Sequence, residues 1–260
     1  MTEPTRLSPG SDQFAALGSA YEASEQWPMR RQLEAPSLLA ATGDLSGLSI
    51  VDAGCGSGFY VRLFARLGAA RVVGIDPSPG MLAVATERED AQPLGVRYVH
   101  SELADAGRVG PVDLVTAVYV LPYAETIEGL RGMCRGAAAA LRPGGRFVAF
   151  ALNPEFSADP SWYQRYGFVL RSKTERAEGE PLTLTSYQFD PPLSVTGYRW
   201  SRRAHETAMR DAGFDHIAWT APVPTPDGVS EHGADFWEPY LRCPHALILT
   251  ARIPGRPADR

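Results

Sequence analysis

Apolar residues change period several times along this chain, and the changes divide it. From 11 to 43 they recur at helical spacing, at Phe14, Leu17, Tyr21, Leu33, Leu38 and Leu39, and Pro28 and Pro36 are expected to cut the helical cap into short pieces. Short β-branched runs then alternate with helical stretches. Strands are expected at 48–52, 71–75, 96–99, 112–118 and 146–152, and helices at 59–67, 79–88 and 125–141. This alternation predicts an α/β fold with a parallel sheet built by right-handed crossovers. Beyond Asn153 the helical period disappears. Residues 154–200 are rich in Pro, aromatic and β-branched residues, and read as antiparallel strands at 169–170, 182–187 and 195–198 inserted after the fifth strand. A helix at 202–211 and strands near 214–219 and 245–252 complete a Rossmann-like sheet of seven strands. The expected organisation is a cap over 11–43, a cofactor-binding core over 44–153, a substrate-covering insertion over 154–200 and completion of the sheet over 201–253, followed by a loose tail.

The chemistry concentrates where the first strand ends. Leu48-Ser49-Ile50-Val51-Asp52 runs into Ala53-Gly54-Cys55-Gly56-Ser57-Gly58, and a helical pattern starts at Phe59. Strand, Gly-rich loop and helix N-terminus form the usual cofactor cradle of an open α/β sheet. The spacing is G-x-G-x-G and not the G-x-G-x-x-G of dinucleotide sites. Asp52 in front of it would repel a pyrophosphate and suits a ligand that carries an ammonium there. Glycine lets a backbone approach its ligand closely, because no Cβ intrudes. The second strand, Arg71 to Ile75, ends in Asp76, placed to accept both hydroxyls of a ribose. Ser78 and Pro79 read as the cap and first residue of the next helix. Met81 in its first turn is suited either to cover an adenine or to fill the core.

The loop with its acid resembles motif I of the class I S-adenosylmethionine (SAM)-dependent methyltransferases. Further stretches resemble the bacterial secondary-metabolite members, especially the toxoflavin-type azapteridine N-methyltransferases. They include Arg30 to Glu34, Asp76 to Leu82, Val112 through Tyr123, Asn153 to Ser157, Tyr198-Arg199-Trp200-Ser201 and Phe236-Trp237. The resemblance implies an enzyme of the methyltransferase class with SAM as cofactor and S-adenosylhomocysteine as product. It assigns Asp52, Gly54, Gly56, Gly58, Asp76 and Met81 to the cofactor. Glu102, Leu103 and Val118 join them, with Tyr21 at the SAM carboxylate. It implies a heterocyclic natural-product acceptor methylated at nitrogen, as in antibiotic biosynthesis; O- or C-methylation is left open. A non-catalytic SAM-binding regulator and an NAD(P)-dependent oxidoreductase are the alternatives, and the second would need the glycine spacing that is missing.

Composition narrows the acceptor. A net charge of −5 without a basic run argues against nucleic acid. Amino-directed nucleic-acid methyltransferases carry [D/N/S]-P-P-[Y/F/W] after the fourth strand, where this chain has Val120-Leu121-Pro122-Tyr123. A small-molecule substrate is therefore expected. No apolar run is long enough for a membrane span, and a cytoplasmic protein is expected. Cys55, Cys134 and Cys243 are too few and too dispersed for a disulfide framework or a metal site. Methyl transfer needs positioning and water exclusion more than a strong base. Tyr119 and Tyr123, just beyond the fourth strand, are candidate catalytic groups, with His205. Trp162, Tyr166, Tyr187, Trp200 and Trp237, with His232, are candidate walls of the substrate site, although packing accounts equally well for each aromatic residue.

Overall fold

The computed structural model describes residues 5–6, 26–173 and 176–255. Seven strands form the main sheet: β1 (Ser49–Ala53), β2 (Arg71–Asp76), β3 (Arg97–His100), β4 (Val112–Val118), β5 (Leu141–Leu152), β9 (Asp215–Thr220) and β10 (Ala246–Arg252), with β6 to β8 in the insertion between them. Their order is β9-β10-β5-β4-β1-β2-β3. The five strands β1 to β5 pair in parallel, whereas β10 runs antiparallel to both β5 and β9. Parallel strands bury both faces, so their sequences read as continuous apolar runs. Ile50, Leu114 and Val148 point into one core, and Val51, Val115 and Phe147 into the other.

Helices cover the two faces. On one side lie α1 (Ala35–Thr42), α2 (Phe59–Arg66) and α7 (Ala234–Arg242), through Leu38, Phe64 and Trp237. On the other lie α4 (Ile127–Ala140) and α5 (Arg202–Asp211), through Leu130 and Met209. The remaining helices are α3 (Pro79–Ala91) and α6 (Pro226–His232). Ser78 caps α3 as expected, accepting from Met81 N at 3.4 Å with Pro79 next in line.

Pro36 does not break the N-terminal helix. A π-helical turn over Arg30–Glu34 leads without interruption into α1. Proline lacks an N–H, and its ring crowds the carbonyl four residues back. That carbonyl belongs to Gln32, and it accepts from Thr225 N at 2.7 Å instead. The wide turn keeps the helix continuous and brings Arg30 and Glu34 onto the sheet end. The part of the expected cap that contains Phe14, Leu17 and Tyr21 lies outside the described residues.

The insertion folds as a second sheet: β6 (Phe168–Arg171), β7 (Glu180–Ser186) and β8 (Leu193–Arg199) are antiparallel, and Thr5–Arg6 runs parallel along β8. β8 lies against the turn Leu121–Tyr123 that follows β4. A Cβ built on Gly197 would sit 3.4 Å from Pro122. The insertion is thereby held over the carboxyl end of the sheet, where open α/β folds bind ligands.

Helix α4 packs tightly on the segment that follows β3. A Cβ on Gly136 would lie 2.1 Å from the Leu103 carbonyl oxygen, while one on Gly132 would meet nothing nearer than 3.9 Å. Gly136→Ala should therefore destabilise the protein by about 1–3 kcal/mol. Gly132→Ala should stabilise it by about 0.5–1 kcal/mol. Urea unfolding of the two variants checks the opposite signs.

Candidate active site

The Gly-rich turn at the end of β1 is left-handed at all three glycines, with φ of 63° at Gly54, 53° at Gly56 and 88° at Gly58. Asp76 ties this turn to the end of β2. Its Oδ2 accepts from Gly56 N at 2.9 Å and its Oδ1 from Ser78 N at 2.8 Å. Burial nevertheless raises its pKa above the usual carboxylate value. A cavity of about 310 Å³ opens above the turn. Gly54, Gly56, Asp76, Met81, Glu102, Leu103 and Val118, all expected at the cofactor, line it. A Cβ on Gly56 would meet no atom within 4 Å, so the backbone is open to a ligand there. A carboxylate at a strand end, with the apolar Met81 and Leu103 nearby, fits an adenosine.

Two residues expected at the cofactor lie elsewhere. Asp52 is buried beneath the turn, where it accepts from Thr116 Oγ1 at 2.6 Å, and it does not line this cavity. Burial pushes its pKa up to about 7, against the lowering effect of the Thr116 bond. Gly58 faces Tyr98: a Cβ there would lie 2.3 Å from the phenol oxygen. Its glycine serves the start of α2 and the packing of Tyr98. Tyr21 is outside the described residues.

A second cavity, of about 180 Å³, adjoins the first. Its walls are mainly apolar, including Leu33, Phe168, Leu170, Leu182 and Leu184. Strand β8 borders both cavities. Side chains alternate across a strand, so Leu193 and Val195 face the apolar cavity, while Thr196 and Tyr198 face the other. Arg30, Tyr119 and Tyr123 line both cavities and mark where they meet.

At that junction sits a buried carboxylate that the sequence reading did not single out. Glu34 accepts from Tyr60 Oη at 2.8 Å and from Tyr119 Oη at 3.0 Å, and Arg30 Nε lies 3.4 Å away. Tyr119 has a left-handed backbone, φ 57°, uncommon for any residue but glycine. Its N–H donates to Phe150 O at 2.8 Å, which anchors the turn. Burial first, and then the Glu34 charge, push the Tyr60 and Tyr119 phenols well above their ordinary pKa. Both phenols are neutral donors. His245 and Tyr240 also line the apolar cavity and were not expected there. Sequence offered one weak signal for Glu34, the i,i+4 pair with Arg30 on an apolar helix. It offered none for His245, which lies just before a strand.

Of the expected substrate walls, only Tyr166 lines the apolar cavity, with its hydroxyl donating to Phe236 O at 2.7 Å. The tryptophans are fixed by their indole N–H groups. Trp200 donates to Ala124 O at 2.8 Å, Trp237 to Gly228 O at 2.9 Å and Trp162 to Pro239 O at 3.2 Å. All three pack between elements. Tyr187 is half exposed, and His232 packs on Phe236 and Trp237. His205 is not at the site either: it is on the buried face of α5 with Nδ1 2.9 Å from Ser201 O and its ring edge-on to Trp219. Among the described residues, no cluster of His, Cys, Asp and Glu could hold a metal, and no helix is long and apolar enough to cross a membrane.

Comparison with known proteins gives the same fold. A family model described as a methyltransferase domain matches residues 50–145, from β1 into β5. A SAM-dependent methyltransferase structure from Mesorhizobium loti has a TM-score of 0.59 at 23% identity, covering 88% of this chain and 99% of that one. The fold is that of a SAM-dependent methyltransferase. The CcbJ methyltransferase of Streptomyces caelestis superposes with a TM-score of 0.64 at 18% identity, over 94% of this chain and 98% of its own. The ubiquinone biosynthesis O-methyltransferase of a Bradyrhizobium strain is 35% identical over 158 residues, 58% of this chain and 60% of that protein. This chain spans between 41% and 62% of the length of such curated relatives. The methyltransferase domain and fold support SAM as the cofactor, and leave the oxidoreductase alternative without support.

Asp52 makes a pH prediction. Burial raises its carboxyl from the ordinary aspartate value of 3.8 to about 7 in the fold. Its stabilising contribution is therefore complete below about pH 4 and is lost as the pH rises through 7. Asp52→Asn does not titrate. Its melting temperature should gain on the wild type steadily between pH 4 and 8, and a constant difference across that range would refute the assignment.

Proposed function

We propose that this chain transfers the methyl group of SAM to a nitrogen of a small, planar, largely apolar acceptor, of the heterocyclic natural-product kind. The observation that carries this reading is the pair of adjoining cavities. One has a cofactor floor, the other has apolar walls, and Arg30, Tyr119 and Tyr123 belong to both. A regulator that only bound SAM would have no use for the second cavity. O-methylation is a second reading, favoured by the names of the curated relatives.

In this reading Asp76 takes the ribose hydroxyls, Met81 and Leu103 flank the adenine, and the open backbone at Gly56 meets the amino-acid end. Bound there, SAM supplies a methyl group on a sulfonium, an activated leaving group. The acceptor nitrogen forms the new C–N bond as the C–S bond breaks, and one proton leaves the nitrogen. Tyr119 donates its own proton to Glu34, so its oxygen lone pairs are available to the acceptor N–H. It can take that proton as it passes its own to the Glu34 carboxylate. The high pKa of Tyr119 means that the phenol relays a proton and does not act as a standing phenolate. The apolar walls exclude water and hold the ring in line.

The direct test is S-adenosylhomocysteine release from SAM with a panel of N-heterocycles and phenols, with the methyl located by NMR; no turnover with any of them would count against the reading. Asp76→Ala should weaken SAM binding roughly 10- to 100-fold by calorimetry, and unchanged affinity would refute the ribose assignment. Tyr119→Phe should lower kcat by about 10²-fold or more with SAM affinity kept. Full activity in that variant would reduce Tyr119 to packing.

A further inference from the structure

The apolar cavity contains a buried imidazole that neither the cofactor nor the proton relay uses. His245 precedes β10 and is 6% exposed. Its ring is gripped on several sides. Tyr119 stacks on it with centroids 5.6 Å apart, Phe168 packs at 4.7 Å, and Tyr163 meets it edge-on at 5.8 Å. Its Nδ1 lies 2.9 Å from Tyr240 Oη. The direction of that bond follows from the neighbours. Burial and nearby charge hold the Tyr240 phenol well above its ordinary pKa, so it keeps its single proton, and Nδ1 is its hydrogen-bond partner among the described residues, so that proton is directed at Nδ1. A neutral imidazole that accepts at Nδ1 carries its proton on Nε2. Burial lowers the His245 pKa to about 3, which keeps the ring neutral. Nε2 has no partner among the described residues and is not among the occluded polar atoms, so it opens to the cavity that the ring lines.

The other polar groups toward this end each hold at least one partner. The Tyr166 hydroxyl donates to Phe236 O and accepts from Tyr240 N, Ser186 Oγ accepts from Gln188 N, and the Gln188 amide donates to Tyr166 O. A buried donor without a partner costs stability, and a ligand that supplies the partner recovers it.

We propose that His245 Nε2–H is a specificity-determining donor: it recognises a carbonyl oxygen or unprotonated ring nitrogen on the acceptor, and so selects heteroaromatic rings over hydrocarbons of the same shape. Tyr240 is the positioning residue that sets the tautomer. Because Tyr119 stacks on the same imidazole, the recognised atom is held at a fixed offset from the proton relay. This inference rests on the apolar cavity being the acceptor site.

The test uses full-length protein with two probes of similar shape, pteridine-2,4-dione and naphthalene, bound in the presence of S-adenosylhomocysteine. ¹⁵N NMR of the ligand-free protein at pH 7 should show His245 neutral and protonated at Nε2, and that signal should move on adding the dione. His245→Phe should weaken the dione about ten-fold, with naphthalene unchanged or tighter and cofactor affinity kept. Tyr240→Phe keeps the imidazole but frees its tautomer, and should weaken the dione in the same direction; it serves if the first variant does not fold. An Nδ1–H tautomer, or equal losses for both probes, would overturn the role of His245. Failure of both probes to bind the wild type would instead overturn the reading of the cavity as an acceptor site.

Discussion

A carboxylate taken out of water must be matched by donors or by a cation, or it costs several kcal/mol. Glu34 is such a group, and its partners come from three parts of the fold. Tyr60 belongs to α2, Tyr119 follows β4, and Arg30 shares the helix. Satisfying Glu34 therefore docks the N-terminal helix onto the carboxyl end of the sheet and orients Tyr119 between the two cavities. The π-turn ahead of Pro36 belongs to the same constraint. It lets the helix continue past a proline while the displaced Gln32 carbonyl finds Thr225.

The insertion contributes through alternation. Strand β8 gives one face to the apolar cavity and the other to the cofactor cavity, so the two spaces adjoin without merging. Leucines, with Val195, Phe168 and Phe189, supply much of the wall of the apolar cavity. Three of the tryptophans serve elsewhere, where each indole N–H meets a carbonyl. Trp162, Trp200 and Trp237 each find one between packed elements. Their size suited them to a substrate wall, but their polar edge tied them to the scaffold.

The cofactor half was legible because its chemistry is local. A left-handed turn needs glycine, a strand end presents a carboxylate, and a Ser-Pro pair starts a helix. Asp76 and the glycines are close in sequence to what they contact. Asp52 and Gly58 show the limit of such reading. Both belong to the motif, yet Thr116 and Tyr98, brought in by β4 and β3, turn them away from the cavity.

Sequence by itself determined the α/β alternation, the seven-stranded sheet, the antiparallel insertion and the Gly-rich turn at the end of β1, because period and turn chemistry are properties of short segments. The tertiary structure decided which titratable groups meet around the apolar cavity. Glu34 and Tyr119 are 85 residues apart, and His245 reaches the same cavity from just before the last strand. His205, nearer the insertion in sequence, faces Trp219 from the buried face of a helix instead. No local pattern distinguishes these histidines, because a side chain's partners depend on which elements pack together.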